Sequence, residues 1–137
     1  SKPWAELVQP AIRLAEDGFD VDEYAAGVIK AEAERLARFP ASAALYLREG
    51  QPLPVGTRLK NPDLARTLRR IAEHGRDGFY KGETADLLLA EMKRGKGIIT
   101  VRDLEGYEAK WRDPITFQYR GHEVISMPPK PFGLTAF

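Results

Sequence analysis

Hydrophobic positions in the first third of the chain recur with helical rather than strand spacing. Trp4, Leu7, Val8, Ala11, Ile12 and Ala15 fall at helical intervals, which predicts an amphipathic helix over residues 3–17. Pro10 lies inside the pattern, so the expectation is a kink or two short helices, with Gly18 closing the segment. Asp20 and Glu23 have the spacing of a capping box, which predicts a helix from about Val21 to Arg38. Tyr24, Val28, Ala31 and Leu36 would form its apolar face, and Pro40 would end it. Residues 41–57 are less regular. Leu45-Tyr46-Leu47 and Leu53-Pro54-Val55 flank a turn at Gly50, a short hairpin whose prolines restrict it to edge strands.

Asn61-Pro62 marks a helix start, because the amide caps free N–H groups and proline already has helical φ. Leu64, Leu68, Ile71 and Ala72 make the buried stripe, and Gly75 ends the helix. A further helix is expected over Thr84–Lys93, stopped by Gly95-Lys96-Gly97. Thr100 then caps a short helix through Glu105, with Asp103 in the reciprocal position. From Tyr107 the period becomes two. Ile115, Phe117 and Tyr119, then Val124 and Ser126, alternate with polar residues around Arg120-Gly121, which predicts a β-hairpin. The expected fold is α+β and mainly α, several helices followed by a small C-terminal antiparallel hairpin. A single domain, 1–137, would divide into a helical part (about 1–106), a hairpin part (about 107–127) and a tail (128–137).

Composition narrows the chemistry. A net charge of +1 on 137 residues argues for no nucleic-acid or membrane-surface partner. With no cysteine there is no disulfide, no thiolate zinc site and no cysteine nucleophile. No apolar run approaches the roughly 20 residues of a membrane span. Ser1-Lys2-Pro3-Trp4 has no signal-segment character, and without an initiator Met the chain reads as processed or excised from something longer.

Individual candidates all have ordinary readings. His74 and His122 are too few to hold zinc without cysteines, so no metal site is expected. Asp20, Asp22, Glu23, Asp63, Glu83, Asp86 and Asp103 lie near predicted helix starts, where capping and the helix dipole explain them without acid–base roles. Arg94 to Thr100 has a glycine–lysine flavour, but Lys96 precedes Gly97 and the phosphate-loop spacing is missing. Arg66, Arg69 and Arg70 share a helix face and read as a solvated surface. The order helix, helix, short helix, hairpin from Asn61 to Met127 mimics a winged-helix DNA-binding domain. Its reading helix, Val101–Glu108, would however carry Asp103, Glu105 and Glu108 against only Arg102, which phosphates would repel.

Longer words carry more. Gly75-Arg76-Asp77-Gly78-Phe79-Tyr80-Lys81-Gly82 is followed by a helix-like run from Glu83 to Arg94. Then come Gly97-Ile98-Ile99-Thr100-Val101-Arg102-Asp103-Leu104, Tyr107, Tyr119-Arg120-Gly121 and Ser126-Met127-Pro128-Pro129. Together with Gln9-Pro10-Ala11-Ile12, Leu14-Ala15-Glu16-Asp17-Gly18-Phe19 and Asn61-Pro62-Asp63-Leu64-Ala65, this order resembles the large subunit of the γ-glutamyltransferases. The resemblance implies a fragment of an αββα N-terminal-nucleophile hydrolase acting on γ-glutamyl amides of the glutathione type. It implies an N-terminal threonine nucleophile whose own amine is the base. The family's Thr-Thr-His motif does not occur here, and its substrate-binding arginine belongs upstream of Ser1. Ser1 reads as a processing remnant, not a nucleophile. After Pro129, Lys130-Pro131-Phe132-Gly133 replaces the family's Pro-Ser-Ser-Gly-Gly turn. The expectation is therefore no catalytic, cofactor-binding or metal-binding residue and no cofactor, with the chain inactive alone. Its partner would be the remainder of the polypeptide, the small subunit, with homo-oligomerisation a further option. A free-standing, non-catalytic helical interaction module is the alternative, and DNA binding a third reading.

Overall fold

A computed structural model describes residues 2–127; Ser1, Pro128, Pro129 and the rest of the tail fall outside them. Two compact units divide after Glu105.

The first unit begins with α1 (Trp4–Asp17), a single helix that runs through Pro10 rather than two short ones. Its Val8, Ile12 and Ala15 are buried. Gly18, at φ 83°, closes it as expected. Strand β1 (Phe19–Asp20) pairs antiparallel with β4 (Arg58–Leu59), Phe19 opposite Leu59 and Asp20 opposite Arg58. The N–H of Val21 donates to Thr57 O at 2.9 Å and that of Asn61 to Ala15 O at 2.7 Å, so distant stretches are laced together.

Helix α2 (Glu23–Ala31) is capped by Asp22, whose carboxylate accepts the Ala25 N–H at 2.7 Å. Asp20, the expected cap, is occupied by the strand instead. The predicted long helix is broken: α3 (Ala33–Ala37) follows, and Pro40 does not end a helix but opens α4 (Pro40–Tyr46). Proline suits a first turn because it has no N–H to leave unpaired. The predicted face of α2 is displaced too. Tyr24 and Val28 are exposed, whereas Ile29 is buried and Ala25 and Ala26 pack beside it. The hairpin around Gly50 is present as β2 (Leu47–Arg48) and β3 (Gln51–Pro52). Val21, Ile29, Leu47 and Leu53 form one core, flanked by Leu36, Ala43, Tyr46 and Leu59.

Helix α5 (Pro62–His74) starts at Asn61, whose side chain accepts the Leu64 N–H at 3.0 Å. It packs against α1. Here the buried residue is Ala65, while Leu64 lies exposed, since close helix contact favours the small side chain. The indole N–H of Trp4 donates to Ile71 O at 2.9 Å and pins the start of α1 to α5. A one-turn helix unmarked by any periodicity, α6 (Asp77–Tyr80), leads to α7 (Gly82–Gly95) and α8 (Val101–Gly106). The expected Thr100–Asp103 capping box is formed: Asp103 accepts the Thr100 N–H at 2.8 Å and its hydroxyl at 2.6 Å.

In the second unit β5 (Ile115–Tyr119) and β6 (His122–Ser126) pair antiparallel, Tyr119 opposite His122. Arg120 and Gly121 sit at φ 49° and 81°, the left-handed pair that suits a two-residue hairpin turn.

Candidate functional site

The ionisable side chains singled out from sequence are spread along the surface of the described residues. His74 is the last residue of α5, 3.8 Å from the carboxylate of its neighbour Glu73. His122 opens β6 and is exposed. Among the described residues no group of three or more His, Cys, Asp or Glu converges on a point.

Most of the carboxylates singled out from sequence are paired or capping. Asp20 meets Arg58 at 3.2 Å, Glu83 meets Arg70 at 3.0 Å, and Asp63 binds Arg66. Asp22 and Asp103 cap helices, and Asp86 is exposed on α7. Where a carboxylate's titration is perturbed, it moves down. The Thr100 hydroxyl, and then its N–H, hold the Asp103 carboxyl below its ordinary range. Arg69 does the same to Glu16, Lys81 to Asp77 and Arg94 to Glu91, in each case chiefly by hydrogen bonding. A general acid working near neutrality needs a carboxyl pushed up by apolar surroundings. These are structural carboxylates.

The arginines of α5 are more than a solvated face. Arg69 reaches Glu16 on α1. Arg70 is the least exposed: its Nε donates to the Thr84 hydroxyl at 2.8 Å, and that hydroxyl donates to Gly78 O at 2.8 Å. The two bonds tie α5, α6 and α7 into one corner, a knot that residue spacing does not signal. Arg76 likewise donates to Glu105 O at 3.1 Å, satisfying a carbonyl at the end of α8.

The Arg94–Thr100 segment follows a helix, not a strand. Lys96 turns left-handed at φ 53° and Gly97 N–H closes on Met92 O at 2.8 Å, a helix stop. The helix compared with a reading helix ends at Gly106, short of Glu108.

Two depressions lie along the α4–α5 edge. One, of about 540 Å³, is open and bounded by Ser42, Lys60 and Asp63, the last already held by Arg66. The other, of about 260 Å³, is lined by Leu14, Phe19, Leu45, Leu59, Leu64 and Leu68. Neither brings a nucleophile against a base.

The chain is similar to proteins of one family. The sequence model of the family described as Gamma-glutamyltranspeptidase matches residues 1–137. The chain is 42% identical over 134 residues to a glutathione hydrolase proenzyme of Pseudomonas sp. (strain A14), covering 97% of this chain and 23% of that protein. It is 43% identical over 127 residues to the Acylase ACY 1 proenzyme of Pseudomonas sp. (strain V22), covering 93% of this chain and 23% of the relative. The crystal structure of Helicobacter pylori gamma-glutamyltranspeptidase superposes with a TM-score of 0.90 at 37% identity, covering 94% of this chain and 37% of that one. The fold is thus that of N-terminal-nucleophile hydrolase chains: mainly helical, with small antiparallel strand pairs. The chain belongs to the γ-glutamyltranspeptidase family. It spans about a quarter of the length of these curated relatives, 23% in each.

Proposed function

We propose that these residues are framework for γ-glutamyl transfer or hydrolysis whose reacting groups lie on polypeptide outside them. In the complete protein a threonine hydroxyl would attack the γ-glutamyl carbonyl of a glutathione-type amide. Its proton would pass to the threonine's own α-amine and from there to the leaving nitrogen as the C–N bond breaks, so that the amine leaves neutral. Water or an amino acid would then take the acyl group from the threonine.

The observation that carries the reading is the match of the family model along the whole chain, although the chain spans only 23% of a glutathione hydrolase relative. The pairing of its carboxylates in caps and ion pairs agrees with a supporting role. On this reading the partner is the rest of the polypeptide, including the small subunit.

The test is a chromogenic γ-glutamyl anilide offered to this chain alone and to the full-length gene product. Turnover is expected only from the latter. Turnover by the isolated chain above the buffer rate would overturn the division of labour. The acylase relative supports a second reading, in which a different acyl amide is cleaved. An acyl anilide without the γ-glutamyl group, run in parallel, separates the two by which is consumed.

A further inference from the structure

An uncharged groove lies where the side of α1 meets α4 and α5. Leu14, Phe19 and Leu64 on its wall are 56%, 44% and 46% exposed, and its floor is completed by Leu45, Leu59 and Leu68. The amide oxygen of Asn61, a polar atom on the lining, is already engaged by the Leu64 N–H. On α1 the apolar stripe continues through Ala11 to Leu7, also exposed. Exposed apolar residues that line up along a groove are the kind of surface a contact covers.

We propose that this groove is the seat of uncharged apolar side chains from the remainder of the parent polypeptide, an assignment that rests on the framework reading above. A second copy of the chain fits the observations less well, because the groove is not the sole apolar exposure. Tyr24 is 81% exposed and Val28 46% exposed on α2, and Trp111 is fully exposed in the second unit. One self-contact would cover one such face and leave the others wet. A surrounding polypeptide covers them all, and the relatives carry it: this chain is 23% of their length.

The experiment uses the full-length gene product carrying Leu14→Cys or Leu64→Cys, treated with a maleimide. The labelled peptide is identified by mass spectrometry, which is unambiguous here because the segment has no cysteine of its own. Labelling at least about tenfold slower in the native protein than in urea supports the seat. Equal rates in both states would overturn it, and so would protection that disappears on dilution to the monomer, the signature of a second copy. Hydroxyl-radical footprinting of Phe19 in the unsubstituted protein gives the same comparison should a variant fail to fold. Anilide turnover is measured on the same preparations. An active enzyme with an open groove removes this inference alone; a protected groove without turnover removes the proposed reaction alone.

Discussion

Gly78 shows how little room a single residue can have. A Cβ built there would stand 2.1 Å from Arg70 O and 2.4 Å from the Arg70 carbonyl carbon, both backbone atoms that no rotamer change can move. The absence of a side chain lets α6 fold onto α5, and the Arg70–Thr84 hydrogen bond then locks the corner. Gly78→Ala is therefore expected to cost about 3 kcal/mol, the upper end of ordinary overpacking. Chemical denaturation followed by Trp4 fluorescence measures it, because the indole is tied to Ile71 on the same α5. A loss below about 0.5 kcal/mol, the range of neutral surface changes, would contradict the close approach.

Among elements, α8 depends on its cap. The Asp103 carboxyl is held down by hydrogen bonds from Thr100, so its folded pKa lies below its unfolded one. The stabilisation it gives is complete above the unfolded value, near 3.8, and is lost as pH falls through the lower folded value. The Thr100 amide resonance should accordingly shift only in that acid range, and the shift should vanish in Asp103→Asn. A midpoint at or above the ordinary carboxylate value would show that the box is not formed in solution. This element was readable beforehand because its signal is local: cap, spacing and helix lie within six residues. The face of α2 was not. Tyr24, Val28 and Ala31 have the spacing of a core stripe, yet the protein buries Ile29 beside Ala25 and Ala26. Periodicity reports that apolar residues are aligned, not which partner covers them. An apolar stripe that faces another part of a longer polypeptide looks the same as one that faces this core.

The whole molecule combines parts of unequal self-sufficiency. The first unit has a core around Val21, which is 1% exposed. In the second, β5 and β6 form a two-stranded sheet. A hairpin of two strands is marginal in water without a further strand or a covering layer. Amide exchange in the isolated chain should therefore be near the unprotected rate for residues 115–126 and much slower for α1 and α5. Equal protection of both would mean that the hairpin needs no support from outside.

What the residues determined by themselves were the local events: the Asn61 and Thr100 caps, the Gly18 and Gly75 stops, the turn at Arg120-Gly121 and the order of words that marks the family. Each is settled by φ preferences and hydrogen bonds within a few positions. Tertiary structure alone decided that Asp20 joins a strand with Arg58, that Ala65 is the α5 contact, and that Arg70 binds across to Thr84. Those outcomes depend on which distant segment fills the adjacent space, and packing between residues remote in sequence leaves no periodic mark.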